Sequence, residues 1–306
     1  MGARPGTGKS ALRIGIDLGG TKIEIVAIDE GGQELFRRRE PTPSGNYAAT
    51  LLTMVKLIND AESRFGRASS VGIGTPGSIS RATGLLRNSN STCLNGRPIL
   101  RDLESHLDRR VNIANDANCF ALSETKDGAA KGAGIVFGVI LGTGTGAGIV
   151  VEGKVLTGIN GISGEWGHNP LPWPEKEELP GFPCYCGKRG CIETFLSGPG
   201  FSNWHLEKSG QSLSPEEIAS RAKMGEKTCE ESMSQYENRL ARSLAHVINI
   251  LDPDVIVLGG GLSNIERLYT NVAEIWGKWV FSDRVDTRLV RHRFGDSSGV
   301  RGAAWL

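Results

Sequence analysis

The apolar positions of this chain fall into short β-rich runs set off by glycine, and into longer stretches spaced for helices. RIGID (13–17) and IEIVAID (23–29) flank a glycine turn, and EGG (30–32) makes a second turn before QELFRRR. That order predicts strand, tight turn, strand. Residues 47–66 carry apolar side chains at helical spacing and end at a glycine, which predicts a helix. SVGIGTPG (70–77) predicts a buried strand entering a turn, 98–110 a second helix, and VNIANDANCFALSET (111–125) a short strand passing into a helix. Residues 134–156 are again strand, glycine turn, strand. After a polar stretch rich in Trp, Pro and Cys, helices are predicted over 214–225, 230–251 and 265–280. A buried strand with a glycine turn, DPDVIVLGGGLSN (252–264), separates the last two.

One device occurs twice. GIDLGGTKIEIVAIDEGG and GVILGTGTGAGIVVEGKV share a layout, and each is followed by a helical connection and a strand ending in glycines (VGIGTPG, VIVLGGG). Such recurrence predicts a duplicated lobe. Backbone N–H groups at a glycine hairpin tip can cradle phosphate. The candidates are Gly19, Gly20, Thr21 and Lys22 in the first hairpin, and Gly142, Thr143, Gly144 and Gly146 in the second. Gly15 and Asp17 lie on the strand leading into the first tip, where Asp17 could hold Mg2+ through water. Gly260 and Gly261, in LGGGLS (258–263), are placed for a nucleoside. Taken alone, each segment also reads as an ordinary turn.

ARPGTGKS (3–10) fits the loose spelling of a P-loop, but no apolar strand precedes it and the following ALRIGID reads as a strand. Without a strand–loop–helix frame the match carries no phosphate chemistry, and residues 1–12 read as a flexible N-terminal extension. At 306 residues and a formal net charge of +1, with charges interleaved, the chain favours neither nucleic acid nor a membrane surface. No run has the apolar length of a membrane span or a secretory core, so a cytoplasmic α/β protein is expected.

Three of the six cysteines, Cys184, Cys186 and Cys191, form C-x-C-x4-C. Clustered thiols in a cytoplasmic chain more often bind metal than pair with one another. Three thiolates and one imidazole make a closed tetrahedral site suited to zinc, and His168 is the candidate fourth ligand. Asp116, in NDAN, follows a strand and opens a helix. It can be a proton acceptor or a helix N-cap, and the pattern alone does not choose.

DLGGTK, LGTGTGAG and LGGGLS in this order resemble the sugar-kinase/actin ATPase fold, in its repressor–open reading frame–kinase (ROK) branch. GEWGH (164–168) followed by CYCGKRGCIE (184–193) is similar to that branch's sugar and zinc signature. NSNSTCLNG (88–96), NDANCFALSE (115–124), GEWGHNPLPW (164–173) and GDSSGVRGAAWL (295–306) resemble its bacterial fructokinases, although Cys93 stands where those often carry Trp. The likeness runs from Arg13 to Leu306.

The resemblance implies an α/β, two-lobed actin-like ATPase fold, ribonuclease H-like and duplicated, with a central cleft and a zinc-stabilised loop. The expected lobes are 13–118, with a helix at about 295–306 packing back, and 119–294, with the zinc loop at 164–193. It implies ATP-dependent phosphorylation of a hexose, D-fructose first, with N-acetylglucosamine, glucose or mannose as alternatives, or a sugar sensor without turnover. Asp116 becomes the expected catalytic base. Asn90, Asn115, Asp116, Glu165, His168 and Glu193 become sugar ligands, and His168, Cys184, Cys186 and Cys191 become ligands of a structural Zn2+. Mg2+ would arrive with ATP, and a homodimer is expected.

Overall fold

A computed structural model describes residues 11–89 and 91–306; ARPGTGKS (3–10) and Asn90 lie outside the described residues. The chain divides into two units, one running to Cys119 and taking in Gly299–Leu306, the other spanning Phe120–Ser298.

In the first unit, β1 (Arg13–Leu18) and β2 (Lys22–Ile28) form the expected hairpin, and β3 (Glu34–Pro41) continues it antiparallel. Helix α1 (Tyr47–Phe65) follows, its first turn capped by the Asn46 side chain, which accepts from the Ala49 N–H. The chain returns through β4 (Ser70–Thr75), a small hairpin of β5 (Ser78–Ile79) and β6 (Leu86–Arg87), α2 (Ile99–Leu107) and β7 (Asn112–Asn115). The sheet order is β3-β2-β1-β4-β7, with β1, β4 and β7 parallel. Alternate residues Ile14, Ile16 and Leu18 of β1 are buried, and Ile23 and Ile25 of β2 join them against Leu51, Met54, Leu57 and Ile58 of α1. Helix α3 (Asp116–Lys126) then starts directly from the end of β7.

The second unit repeats the plan. Hairpin β8 (Ile135–Leu141) and β9 (Thr145–Val151) is extended by β10 (Lys154–Val155). Next come α4 (Glu193–Leu196), α5 (Gly198–Ser209), α6 (Pro215–Lys223), α7 (Lys227–Leu251), β11 (Val255–Gly259), α8 (Arg267–Ile275) and β12 (Arg288–Arg291). The order β10-β9-β8-β11-β12, with β8, β11 and β12 parallel, matches the first sheet strand for strand. Its core gathers Phe137, Val139 and Leu141 of β8, Ile256 and Leu258 of β11, and the buried face of α7.

Helix α9 (Ser298–Ala304) carries the chain back into the first unit. Val300 and Ala304 pack on Val26 and Ile28, the β2 residues facing away from α1. A side chain on Gly15 would run into the Val300 carbonyl, and one on Gly72 into the Ala303 carbonyl. Gly15, expected beside phosphate, thus also lets α9 sit directly on the sheet. Elements not foreseen from the pattern include the β5–β6 hairpin, α4, α5 and β12. Among the described residues no helix is long and apolar enough to cross a membrane.

Candidate active site and metal centre

Parallel pairing brings the chemistry of the first unit to one end of its sheet. Asp17 on β1 pairs with Gly74 on β4, and Thr75 pairs with Asn115 on β7. Asp17 and Asp116 therefore lie at the carboxyl ends of strands separated only by a strand whose nearest residue has no side chain. The Asn115 side-chain oxygen accepts from the Asn118 N–H at 2.8 Å, which makes Asn115 the cap of α3. The Asp116 carboxylate accepts from the Ala117 N–H at 2.8 Å. Asp116 is thereby relieved of the capping duty that the pattern had left open. Its side chain is solvent-accessible, yet the surrounding protein pushes its carboxyl above the usual range, with backbone hydrogen bonds pulling the other way.

Asp17 is half-buried, and its pKa rises from 3.8 to about 6, through desolvation first, then repulsion from Asp116 and Glu24, with Lys22 opposing. Glu24 faces Asp17 across the hairpin and is itself buried, held by Arg37 at 2.5 Å and Arg39 at 2.9 Å. The tip beyond Asp17 is a tight turn, with the Gly19 N–H donating to the Lys22 carbonyl at 3.0 Å. Gly20, Thr21 and Lys22 are exposed there.

In the second unit the glycine turn between β8 and β9 is braced from below. The Gly142 N–H donates to the Gly144 carbonyl at 3.0 Å, and the Gly198 N–H to the Gly142 carbonyl at 2.8 Å. The Glu193 carboxylate accepts from the Thr145 N–H at 2.9 Å, and a Cβ on Gly144 would lie 2.8 Å from its Oε2. Thr143 is exposed at the tip, and Gly146 lies on β9 just beyond it. Gly260, with φ +80°, passes so close to Leu141 that a side chain would strike its carbonyl, whereas Gly261 faces open space. The GEWGH loop lies along β9: a side chain on Gly164 would strike the Ala147 carbonyl, and one on Gly167 the Thr145 carbonyl. Glu165 is exposed on this loop, and Trp166 and Gly167 are buried beneath it.

His168, Cys184, Cys186 and Cys191 converge, with their ligand atoms all within 4.8 Å of one another. The Cys184 Sγ–His168 Nδ1 distance is 3.5 Å and the Cys186–Cys191 Sγ–Sγ distance 3.6 Å. Bonds of about 2.0–2.3 Å at tetrahedral angles put neighbouring ligand atoms roughly 3.4–3.8 Å apart, so the donor types and these two distances suit zinc. A disulfide needs about 2.05 Å, and all three cysteines are unpaired thiols. Burial pushes the Cys191 thiol up to about 12, while the Lys188 backbone N–H holds the Cys186 thiol down. A cation would therefore have to displace protons to bind. The segment between the ligands is tied to α7, where Glu178 pairs with Arg239 and Arg242, each at 2.7 Å. The Ile192 N–H donates to the Asn169 carbonyl at 2.8 Å, closing the loop beside Glu193.

Two features escaped the sequence reading. The Tyr185 hydroxyl lies 2.8 Å from His168 Nε2, and Asp17 and Asp116 repel one another. An aromatic between two cysteines was a visible signal for the first. The second depends on strand order, which no local motif encodes.

A family model described as ROK family matches residues 13–306. An N-acetyl-D-glucosamine kinase of Salmonella paratyphi B is 41% identical over 297 residues, covering 95% of this chain and 98% of that one. Among solved structures, a ROK hexokinase from Thermus thermophilus matches with a TM-score of 0.85 at 31% identity, over 96% of this chain and 97% of that one. A ROK family glucokinase from Streptomyces griseus, solved with glucose and AMPPNP, matches with a TM-score of 0.74 at 25% identity, over 96% and 98% of the two chains. The expected resemblance to fructokinases in particular finds no support in these relatives. Motif spacing records which loops are present but does not fix where their side chains stand.

Proposed function

The chain belongs to the ROK family, and we propose that it is an ATP-dependent sugar kinase whose substrate is N-acetyl-D-glucosamine. The observation that carries the choice of sugar is the 41% identity with an N-acetyl-D-glucosamine kinase along nearly the whole of both chains. Asp116, released from capping by Asn115, supports turnover over sensing.

Phosphoryl transfer asks mainly for positioning and for charge against the leaving phosphates. In the first unit, the Asp116 carboxylate takes the proton of the attacking sugar hydroxyl, and its raised pKa improves it as an acceptor. The exposed tip at Gly20, Thr21 and Lys22 would meet phosphate oxygens, the Gly19 N–H being spent on closing the turn, and Asp17 would help to hold the Mg2+ that accompanies ATP. Asn115 gives its side-chain oxygen to the helix, so its amide nitrogen is the part left to bind a sugar hydroxyl. Asn90 is proposed as a further sugar ligand.

In the second unit, Gly142, Thr143, Gly144 and Gly146 form the other phosphate turn, and Gly260 and Gly261 bound the nucleoside. Glu165 and Glu193 supply carboxylates to the sugar platform, which His168 supports. His168, Cys184, Cys186 and Cys191 would hold zinc, which when bound cross-links the loop and performs no step. Glu193 joins the two functions, because its carboxylate braces the phosphate turn two residues beyond Cys191.

Incubating the protein with radiolabelled ATP, Mg2+ and N-acetyl-D-glucosamine, and locating the label, tests this. The reading requires a phosphomonoester on the primary 6-hydroxyl. Sugar binding without label transfer would replace it with the sensor reading.

A further inference from the structure

His168 has two ring nitrogens with different neighbours. Nδ1 faces the Cys184 sulfur at 3.5 Å, while Nε2 lies 2.8 Å from the Tyr185 hydroxyl. The Tyr185 ring meets the imidazole edge-on, with centroids 5.0 Å apart at 89°. Once Nδ1 serves as a metal ligand the proton sits on Nε2, so Nε2–H donates to the tyrosine oxygen. The nitrogen that was to meet the sugar is therefore already engaged.

Tyr185 itself is 83% exposed, unusual for an aromatic side chain whose hydroxyl is used. Its backbone is pinned on both sides, because Cys184 and Cys186 belong to the cluster and the Gly187 N–H donates to the Cys184 carbonyl at 3.0 Å. The Glu193 and Glu165 carboxylates both lie within electrostatic reach of its hydroxyl. All four residues belong to the second unit.

We propose that Tyr185 is a sugar-binding residue of this protein, its hydroxyl accepting from His168 Nε2–H and donating its own proton to a sugar hydroxyl or amide oxygen. His168 then acts as the post that orients Tyr185, and the sugar meets the phenol in place of the imidazole. The inference rests on the kinase reading only for the identity of the sugar.

Calorimetric titration of N-acetylglucosamine, glucose and fructose into zinc-replete wild type and Tyr185→Phe tests it. Phenylalanine keeps the ring and removes only the hydroxyl. The expected result is equal zinc content, equal affinity for a non-hydrolysable ATP analogue, and a Kd for the preferred hexose raised about fivefold or more. An unchanged or tighter Kd would mean that the hydroxyl merely occupies the sugar's place on His168, and overturns the proposal. So would loss of zinc, or equal weakening of sugar and nucleotide, since either marks a structural role. A wild type that binds fructose or glucose best changes the substrate and leaves the Tyr185 test intact, while one that binds no hexose overturns both.

Discussion

Replacing Asp17 with asparagine should make the ligand-free protein more stable while disabling it. The carboxyl sits among protein atoms and within repulsive reach of Asp116 and Glu24, and its pKa rises from 3.8 to about 6. A shift of that size corresponds to about 3 kcal/mol of disfavoured ionisation. Water reaching the half-buried side chain trims this to about 2 kcal/mol. The folded chain holds its proton more tightly than the unfolded one, so the folded form stays protonated in a window where the unfolded form has ionised. Stability therefore falls as pH rises from about 4 to about 6, and the full penalty persists above that. Asparagine carries no charge to penalise.

Thermal unfolding of wild type and Asp17→Asn, without nucleotide or Mg2+, should show the variant about 3 °C higher at pH 8. The two should converge towards pH 4, where both side chains are neutral. A variant no more stable at pH 8, or a gain that does not depend on pH, would refute the electrostatic reasoning. Such a gain beside lost turnover is the trade-off expected where a site keeps strained charges for function.

Asp116→Asn should lower kcat by about 10²- to 10⁴-fold while sugar affinity holds, as measured by steady-state assay and calorimetry. In the wild type, turnover should fall on the acid side with a midpoint above the ordinary aspartate value, because the base must be ionised and desolvation by the surrounding protein raises its pKa. Removing metal with a chelator, or Cys191→Ser, should raise the KM for sugar more than the KM for MgATP. Equal changes would indicate general unfolding. Gly167→Ala places a methyl group against the Thr145 carbonyl and should cost about 1–3 kcal/mol, with weaker sugar binding as the GEWGH loop shifts; unchanged melting and affinity would count against the close packing.

Both five-stranded sheets were legible at their hairpins, because glycine turns between β-rich runs are local signals. Strand β12 was not, since only Leu289 and Val290 of RLVR are apolar and the strand sits at a sheet edge with exposed ends. Helix α5 opens with Gly-Pro-Gly and buries Phe201, Trp204 and His205 without a clean apolar stripe, so its stability comes from packing on α7 rather than from its own pattern. The His/Cys cluster was readable because its three cysteines lie within one short loop. The carboxylate pair was not, because Asp17 and Asp116 are far apart in sequence and meet only through the β1-β4-β7 order. The placing of fructose first, which the relatives do not support, has a related origin: motifs record which loops are present, while specificity depends on side-chain placement to within an ångström or so.

The most direct measurement is ADP release with MgATP against N-acetylglucosamine, glucose, mannose and fructose, with Asp116→Ala as control. The account predicts the highest kcat/KM on N-acetylglucosamine and none above background in the control. A preference for fructose, or turnover that survives the loss of Asp116, would contradict it.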